Sequence, residues 1–349
     1  MASAWFVLLG FMLIVYVVLD GFDLGAGIVH LWLTRSERER RTVFAAIGPV
    51  WDGNEVWLIA AGGLMVFAFP RAYAVAFSGF YLPLMMVLWL LVLRGLSIEL
   101  RSHHDNPLWR QFFDVAFAGA SALLAVVLGA ALGNVLRGVP IDETGYFAGP
   151  LFTDFTPGPR PGALDWYTVT LGVFALVALG AHGAMYLCWK AAGELGTRAG
   201  RLGRQLWAVA AVLAIVVAAE TWVVRPQLVS ALAERPLAWL LAALAVASIA
   251  GVFVALRRGR ELAGFLASAA ALATLLATVA AAVYPHVLAS SLDPRFDLDL
   301  ATAANGDHGL AIGLAWWIPA LVLALGYFAF LFRSFRGKVE LDDEHVQVK

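Results

Sequence analysis

Five ionisable residues stand inside stretches otherwise too apolar to hold them. Asp20 and Asp23 occur in Asp20-Gly-Phe-Asp-Leu-Gly-Ala-Gly27, and Asp52 and Glu55 in Gly48-Pro-Val-Trp-Asp-Gly-Asn-Glu-Val-Trp57. Arg94 follows in Leu93-Arg-Gly95. Each acidic pair has i,i+3 spacing, which puts both carboxyls on one helix face. A charge at the centre of a membrane helix costs about 2.5–3.5 kcal/mol on the insertion scale, so such groups face a protein interior or water, or pair with one another. Carboxyls placed together beside one cation titrate as a coupled set, and that chemistry suits proton uptake and transfer. A structural reading stands beside it. Pro49 suits a first helical turn, where the helix dipole favours Asp52 and Glu55, and an Arg–Asp bridge would fix the bundle. Asp20 and Asp23, well inside an apolar run, are harder to explain that way.

The other chemical candidates are weaker. Trp51 would stack on a quinone headgroup or pack at a membrane interface. His182 and His286 could each serve a haem, but no paired histidines recur at helical spacing, and a hydrogen-bonded packing role suits them better. Glu220 is expected to snorkel or to pair with Arg225, and Glu99 to be solvated. Cys188 is the only cysteine, and the seven histidines form no HxxxH or HExxH pattern, so no metal site is expected in this chain.

The elements that must position these residues follow from composition. The chain has 349 residues, 61% hydrophobic and 14% charged, with mean hydropathy +0.80. A soluble domain carries about 25% charge. Lipid must therefore be the solvent for most of this surface, and a net charge of -1 provides no basic field for nucleic acid. Spanning the hydrocarbon takes about 20 apolar residues. Nine stretches qualify, roughly 4–33, 48–70, 72–98, 111–136, 163–189, 205–224, 236–256, 261–284 and 309–332. Irregular backbone cannot face lipid, so each is expected to be helical. The predicted architecture is all-α: one polytopic membrane domain over 1–332, two four-helix bundles plus one peripheral helix, and a polar, mobile tail over 333–349. The N-terminal stretch lacks a basic flank and reads as a retained first helix.

Of the 24 Lys and Arg residues, seventeen fall in loops on one side of this topology and six on the other, with Arg94 left inside a helix. The positive-inside rule then places the N-terminus outside and the C-terminus in the cytoplasm. Asp20, Asp23, Asp52, Glu55 and Arg94 are expected to converge just under the cytoplasmic surface. Trp5, Trp32, Trp109, Trp166, Trp189, Trp207, Trp222 and Trp239 fall near predicted helix ends, as an aromatic belt would. Two long connections, 137–162 and 285–308, are expected to cover the outer face as ordered loops or to contact a partner.

At these residues the chain resembles subunit II of the bacterial cytochrome bd ubiquinol oxidases. The resemblance rests on Gly21-Phe-Asp-Leu-Gly-Ala-Gly27, Gly48-Pro-Val-Trp-Asp-Gly-Asn-Glu-Val-Trp-Leu58, Phe77-Ser-Gly-Phe-Tyr81, Leu93-Arg-Gly95, Gly133-Asn-Val-Leu-Arg-Gly-Val-Pro140 and His182-Gly-Ala-Met-Tyr-Leu187, in order along the first half. It implies a subunit of a bacterial inner-membrane enzyme that reduces O2 to water with electrons from quinol. It also implies a heterodimer in which the haem-bearing subunit I holds haems b and d and oxidises quinol, while this subunit stabilises it and helps deliver protons. The family's acidic positions map to Asp52 and Asp23, and Glu55 stands where some members carry Gln. The resemblance leaves open a quinone bound to this subunit and small accessory membrane subunits. Two rival readings are a proton-coupled secondary transporter using the same acids at a repeat interface, and a purely structural scaffold.

Overall fold

The computed structural model describes residues 1–341 and 346–348. Among these residues thirteen α-helices dominate. In chain order they are α1 (Ala2–Leu33), α2 (Glu37–Ile47), α3 (Trp51–Ala68), α4 (Pro70–Gly79), α5 (Tyr81–Leu100), α6 (Pro107–Arg137), α7 (Trp166–Lys190), α8 (Gly193–Val224), α9 (Pro226–Ala233), α10 (Pro236–Arg257), α11 (Glu261–Val283), α12 (Leu300–Ala303) and α13 (Asp307–Ser334). Short antiparallel pairs join β1 (His286–Leu288) to β2 (Leu298–Asp299) and β3 (Val339–Leu341) to β4 (Val346–Val348).

Eight of these helices, α1, α5, α6, α7, α8, α10, α11 and α13, are long and apolar enough to cross a membrane. The expected second span corresponds to α3, which has 18 residues and carries Asp52, Asn54 and Glu55 in its first turns. It is not among those eight. The expected third span, 72–98, is not one helix. It breaks at Phe80 between α4 and α5. Pro83 lacks the N–H that would bond to the Gly79 carbonyl, and its ring crowds that oxygen, so the ladder cannot run through. The sixth span begins earlier than expected, because α8 includes the polar turns from Gly193.

Charged loops gather at one end of the bundle, called here the basic end. There α2 links α1 to α3. Ser36 caps α2 by accepting from the Glu39 N–H at 3.3 Å, and Glu37 and Glu39 complement the positive end of its dipole. At the opposite end the two long connections bond to each other. The Val139 N–H donates to Ala289 O at 3.0 Å, and the Ser291 N–H donates to Val139 O at 2.9 Å. Ser290 Oγ donates to Ile141 O at 2.7 Å. Arg225 Nη1 donates to Arg137 O at 2.8 Å, while Glu220 accepts instead from Thr170 Oγ1 at 3.2 Å, so the expected Glu220–Arg225 pair does not form.

The tail is not free where it is described. Lys190 Nζ donates to Phe335 O and Gly337 O at 2.7 and 2.8 Å. Lys338 Nζ lies 2.7 Å from Glu261, and Val339 is buried against Ala191. The rest of the expected tail, residues 342–345 and Lys349, lies outside the described residues.

Helix α1 is central. It packs on α3, α6, α7 and α11, and it contributes to two separate buried clusters. Trp5, Met12 and Tyr16 belong to the cluster with α3, α4 and α13, and Phe22 to Leu33 to the one with α7, α8 and α11. Lipid tails are as apolar as leucine, so close packing and polar contacts must hold such helices together. The α1–α7 crossing shows the first device. A Cβ at Gly25 would lie 2.0 Å from Leu179 O, and one at Gly183 would lie 2.1 Å from the Gly25 carbonyl carbon. Gly25→Ala is therefore expected to force the helices apart and destabilise the protein by about 2 kcal/mol or more. Gly62→Ala, where nothing lies within 4 Å, is the matched control and should leave stability unchanged. Thermal unfolding in detergent distinguishes the two.

Candidate functional site

Two of the four expected carboxyls, Asp20 and Glu55, meet Arg94, and a third, Asp23, lies one turn away along α1. Asp20, Asp23, Asn54 and Arg94 are fully buried. Arg94 Nη2 lies 2.7 Å from Asp20 Oδ1, without the alignment of a directed hydrogen bond, and donates to Glu55 Oε2 at 3.0 Å. One guanidinium thus bridges α1 and α3 from α5. Asp23, one turn along α1 from Asp20, accepts from Asn54 Nδ2 at 2.7 Å, and the same amide reaches Leu19 O at 3.4 Å. Glu55 keeps 20% of its side-chain surface exposed, so the set touches the chain's surface on the α3 side. Tyr16, one turn before Asp20, is buried beside it.

Asp52 is not part of the buried set. It is exposed on the first turn of α3, three residues before Glu55. The i,i+3 spacing holds, but the face it defines runs from buried Asn54 and half-buried Glu55 out to open surface. Trp51 packs over the small Gly95 of α5, where a Cβ would lie 3.4 Å from its ring. The set is also deeper than expected. Asp20 lies about 20 Å along α1 from Leu33, near the middle of that 32-residue helix, because α1 runs on past the set to meet α2.

Several buried polar atoms of the set have no protein partner. They include Tyr16 OH, Asp20 Oδ2, Asp23 Oδ1, Asn54 Oδ1, and Arg94 Nε and Nη1. Buried polar groups are almost always satisfied, and ordered water serves where protein does not. The arrangement is thus a connected row of oxygen and nitrogen atoms with spare hydrogen-bonding capacity inside an apolar bundle. Such a row can bind, hold and pass protons between neighbours.

A second ionic cluster closes the basic end and was missed by sequence reasoning. Asp114 of α6 is fully buried and accepts from three sides. Arg101 donates through Nε to Oδ1 at 2.7 Å and through Nη2 to Oδ2 at 3.0 Å. Arg40 Nη1 donates to Oδ2 at 3.1 Å, and His30 Nε2 lies 2.7 Å from Oδ1. Arg101 also grips Glu37 with two bonds, at 3.1 and 2.9 Å. Burial disfavours the Arg101 charge, but Asp114 and Glu37 more than offset it and raise its pKa above the ordinary guanidinium value. Nearby, burial resists ionisation of Glu39, yet its hydrogen bonds from Arg198 and the Arg35 N–H hold its pKa below the usual carboxyl value. The signal was available: Asp114 is an acid near the start of an apolar helix, and His30 lies seven residues beyond Asp23 on the same α1 face.

The two buried histidines of the spanning helices are each held by protein partners. His182 is fully buried, with Nδ1 2.8 Å from Ser268 Oγ and Nε2 3.0 Å from Val18 O. Trp207 Nε1 donates to the same Ser268 oxygen at 3.0 Å, so the serine proton goes to His182 Nδ1 and the His182 Nε2–H goes to the α1 carbonyl. Trp207 is thus core, as is Trp5, whose Nε1 donates to Leu310 O at 3.1 Å; neither belongs to the expected aromatic belt. His30 is packed between Phe44 and Phe117, with ring centroids 5.2 and 5.7 Å away. His286 lies outside the spans, 3.2 Å from Asp297. Among the described residues no group of three or more His, Cys, Asp or Glu is arranged to hold a metal ion.

Removing one partner of a buried ionic set leaves the others uncompensated, at a cost of about 3–5 kcal/mol. Arg94→Gln is therefore expected to lower the thermal stability of the protein sharply, and the double variant Arg94→Gln with Asp20→Asn to recover part of the loss. Unfolding midpoints of the two variants against the parent check this; equal midpoints for all three would contradict it.

Comparison with known proteins agrees along nearly all of the chain. A family model described as cytochrome bd terminal oxidase subunit II matches residues 1–335. The chain is 31% identical over 366 residues to the probable cytochrome oxidase subunit 2 of Haemophilus influenzae, covering 96% of this chain and 94% of that protein. It is 29% identical over 372 residues to the cytochrome bd-I ubiquinol oxidase subunit 2 of Escherichia coli strain K12, with 97% and 95% covered. A chain in the structure of bd oxidase from Geobacillus thermodenitrificans shares the fold, with TM-score 0.75 at 18% identity over 96% of this chain and 98% of that one.

Proposed function

Because the chain belongs to the cytochrome bd terminal oxidase subunit II family, we propose that its buried carboxyl set carries protons towards the site of O2 reduction in a partner chain. The protein is a multi-pass membrane subunit of a cytochrome bd ubiquinol oxidase, a quinol:O2 oxidoreductase, and such a complex implies a subunit I. In this reading haems b and d sit in that partner, which also oxidises quinol at the outer face, and they supply the reduction of O2 when bound there. The two buried histidines of the spanning helices already have protein partners, His182 in Ser268 and Val18 and His30 in Asp114, which supports that division of labour.

The observation that carries the proposal is the ratio of acid to base in a buried site: Asp20, Asp23 and Glu55 around the single Arg94. A bundle bolt needs one carboxyl for one guanidinium. Additional carboxyls give a coupled set that gains and loses protons as a unit. The unpartnered atoms of the set provide the hydrogen-bonding positions for water between them. Glu55 and then Asp52, on the exposed side of α3, are the edge at which a proton leaves the set for the partner. Trp51, packed beside that edge on Gly95, completes the wall, and a quinone headgroup stacked on it would sit against the same edge.

The same reading makes α3 a ninth crossing, with helices grouped in two four-helix bundles and one peripheral helix. The two separate buried clusters that share α1 support two groups. The basic end faces the cytoplasm by the positive-inside rule, which puts the N-terminus outside, the C-terminal tail inside, and proton uptake on the cytoplasmic side. Burial of this subunit's apolar surface against the haem-bearing chain stabilises the pair, and small accessory subunits would add to the same membrane face.

In the assembled oxidase, Asp23→Asn and Asp52→Asn are each expected to slow quinol-driven O2 consumption about tenfold or more, the range of a lost proton-transfer group. Their haem absorption spectra should match the parent. Parent rates in well-assembled variants would remove the proton role, and loss of assembly at full specific turnover would leave the set a structural bolt.

A further inference from the structure

The row of polar positions on α1 continues past the carboxyl set. Tyr16, Asp20, Asp23, Gly27 and His30 recur at alternating steps of four and three and are all buried. They line one face over about 21 Å of helix. Each level meets polar groups from other helices. Asp20 meets Arg94, which also holds Glu55, and Asp23 meets Asn54. His30 meets Asp114, which is shared with Arg101 and Arg40. Between them, at Gly27, stands Ser121 of α6. A Cβ at residue 27 would lie 2.2 Å from Ser121 Oγ, so glycine is what lets the hydroxyl reach the α1 backbone. Ser121 and Asp114 are seven residues apart and share one face of α6.

Ser121 is fully buried, and its Oγ has no protein partner. His30 Nδ1 on one side and Asp23 Oδ1 on the other are likewise without one. A purely structural seam pairs its buried polar atoms with each other, because each unmade bond costs free energy. Here three levels in succession keep an unused position, which suits a short file of water. Arg40, whose side chain is one-third exposed at 33%, brings the outer side of the His30–Asp114 cluster to solvent at the basic end.

We propose that His30 and Ser121 form the outer half of the proton route, leading from the basic end to Asp23; this rests on the proton-transfer reading of the carboxyl set. Asp114 faces two arginines and acts as acceptor only, so the His30 Nε2–H is committed to it and Nδ1 keeps the free lone pair. Nδ1 binds one proton from water and releases one to the next water. The Ser121 hydroxyl accepts a proton on its oxygen and gives up its own on the far side, and Asp23 takes the proton at Oδ1. No electron moves; His30 and Ser121 regain their starting states, and Asp23 holds the proton until the carboxyl set passes it on.

The test uses the assembled oxidase with subunit I. Ser121→Ala is expected to slow O2 consumption about tenfold. The haem spectrum and the KM for quinol should stay unchanged, and the solvent deuterium isotope effect should exceed the parent's. His30→Gln, which keeps a donor for Asp114, carries the same expectation if Ser121→Ala does not assemble. Parent rates for both variants alongside a slow Asp23→Asn would overturn this route and leave the carboxyl set's role standing. Parent rates for all three would overturn both. A slowed Ser121→Ala with an unchanged isotope effect would assign the serine to packing and overturn the route as well.

Discussion

A guanidinium inside a lipid-spanning bundle has to be paired, and Arg94 finds its partners on two other helices. Its contacts with Asp20 and Glu55 join α5 to α1 and α3 where no hydrophobic force would do so. The far side of α1 is held by the opposite device, backbone approach at Gly25 and Gly183 of α7. One helix is therefore gripped by charge on one side and by the absence of side chains on the other. Both grips are intolerant of substitution, for different reasons: one leaves an orphaned charge, the other a clash with backbone.

Much of this was legible in the residues themselves. Charges in apolar helices are costly enough that Asp20, Asp23, Glu55 and Arg94 had to find one another, and the topology put them at one level. The order of elements followed from hydropathy for the same reason. What the spacing could not give was side-chain direction relative to neighbours. Asp52 shares a helix turn with Asn54 and Glu55, yet it points to the surface of this chain, because burial is decided by which helices lie against α3. The break at Phe80 needed attention to a single proline inside an apolar run. Trp207 looked interfacial by its place in the sequence, but α8 begins some turns earlier than hydropathy suggests, which carries that ring into the core. The Asp114 cluster could have been found by the rule that found Asp20. Its arginines lie in loops and helix ends, where basic residues were read only as a count for orientation.

The two ionic assemblies divide along a line of chemistry. At Asp114 both carboxylate oxygens are saturated by Arg101, Arg40 and His30, which makes that carboxylate a lock, while His30 Nδ1 beside it stays open. Around Arg94 the acids outnumber the base and several atoms are left unused, which is a store. The His182–Ser268–Trp207 chain is a third case, satisfied throughout and buried in the aromatic stack of Phe22, Tyr186 and Phe265. Saturation thus separates the polar groups that fix the bundle from those with capacity left for chemistry.

The distance along the chain between Asp20 and its arginine bears on how the protein is made. Membrane helices leave the ribosome in order, so α1 reaches the insertion machinery with its acids while α5 is still unsynthesised. Alone in the bilayer, those carboxyls would carry the full insertion penalty. The pairing that offsets this penalty becomes possible only once the fifth element brings Arg94 to α1. The finished subunit thus rests on a contact that its first helix cannot make alone.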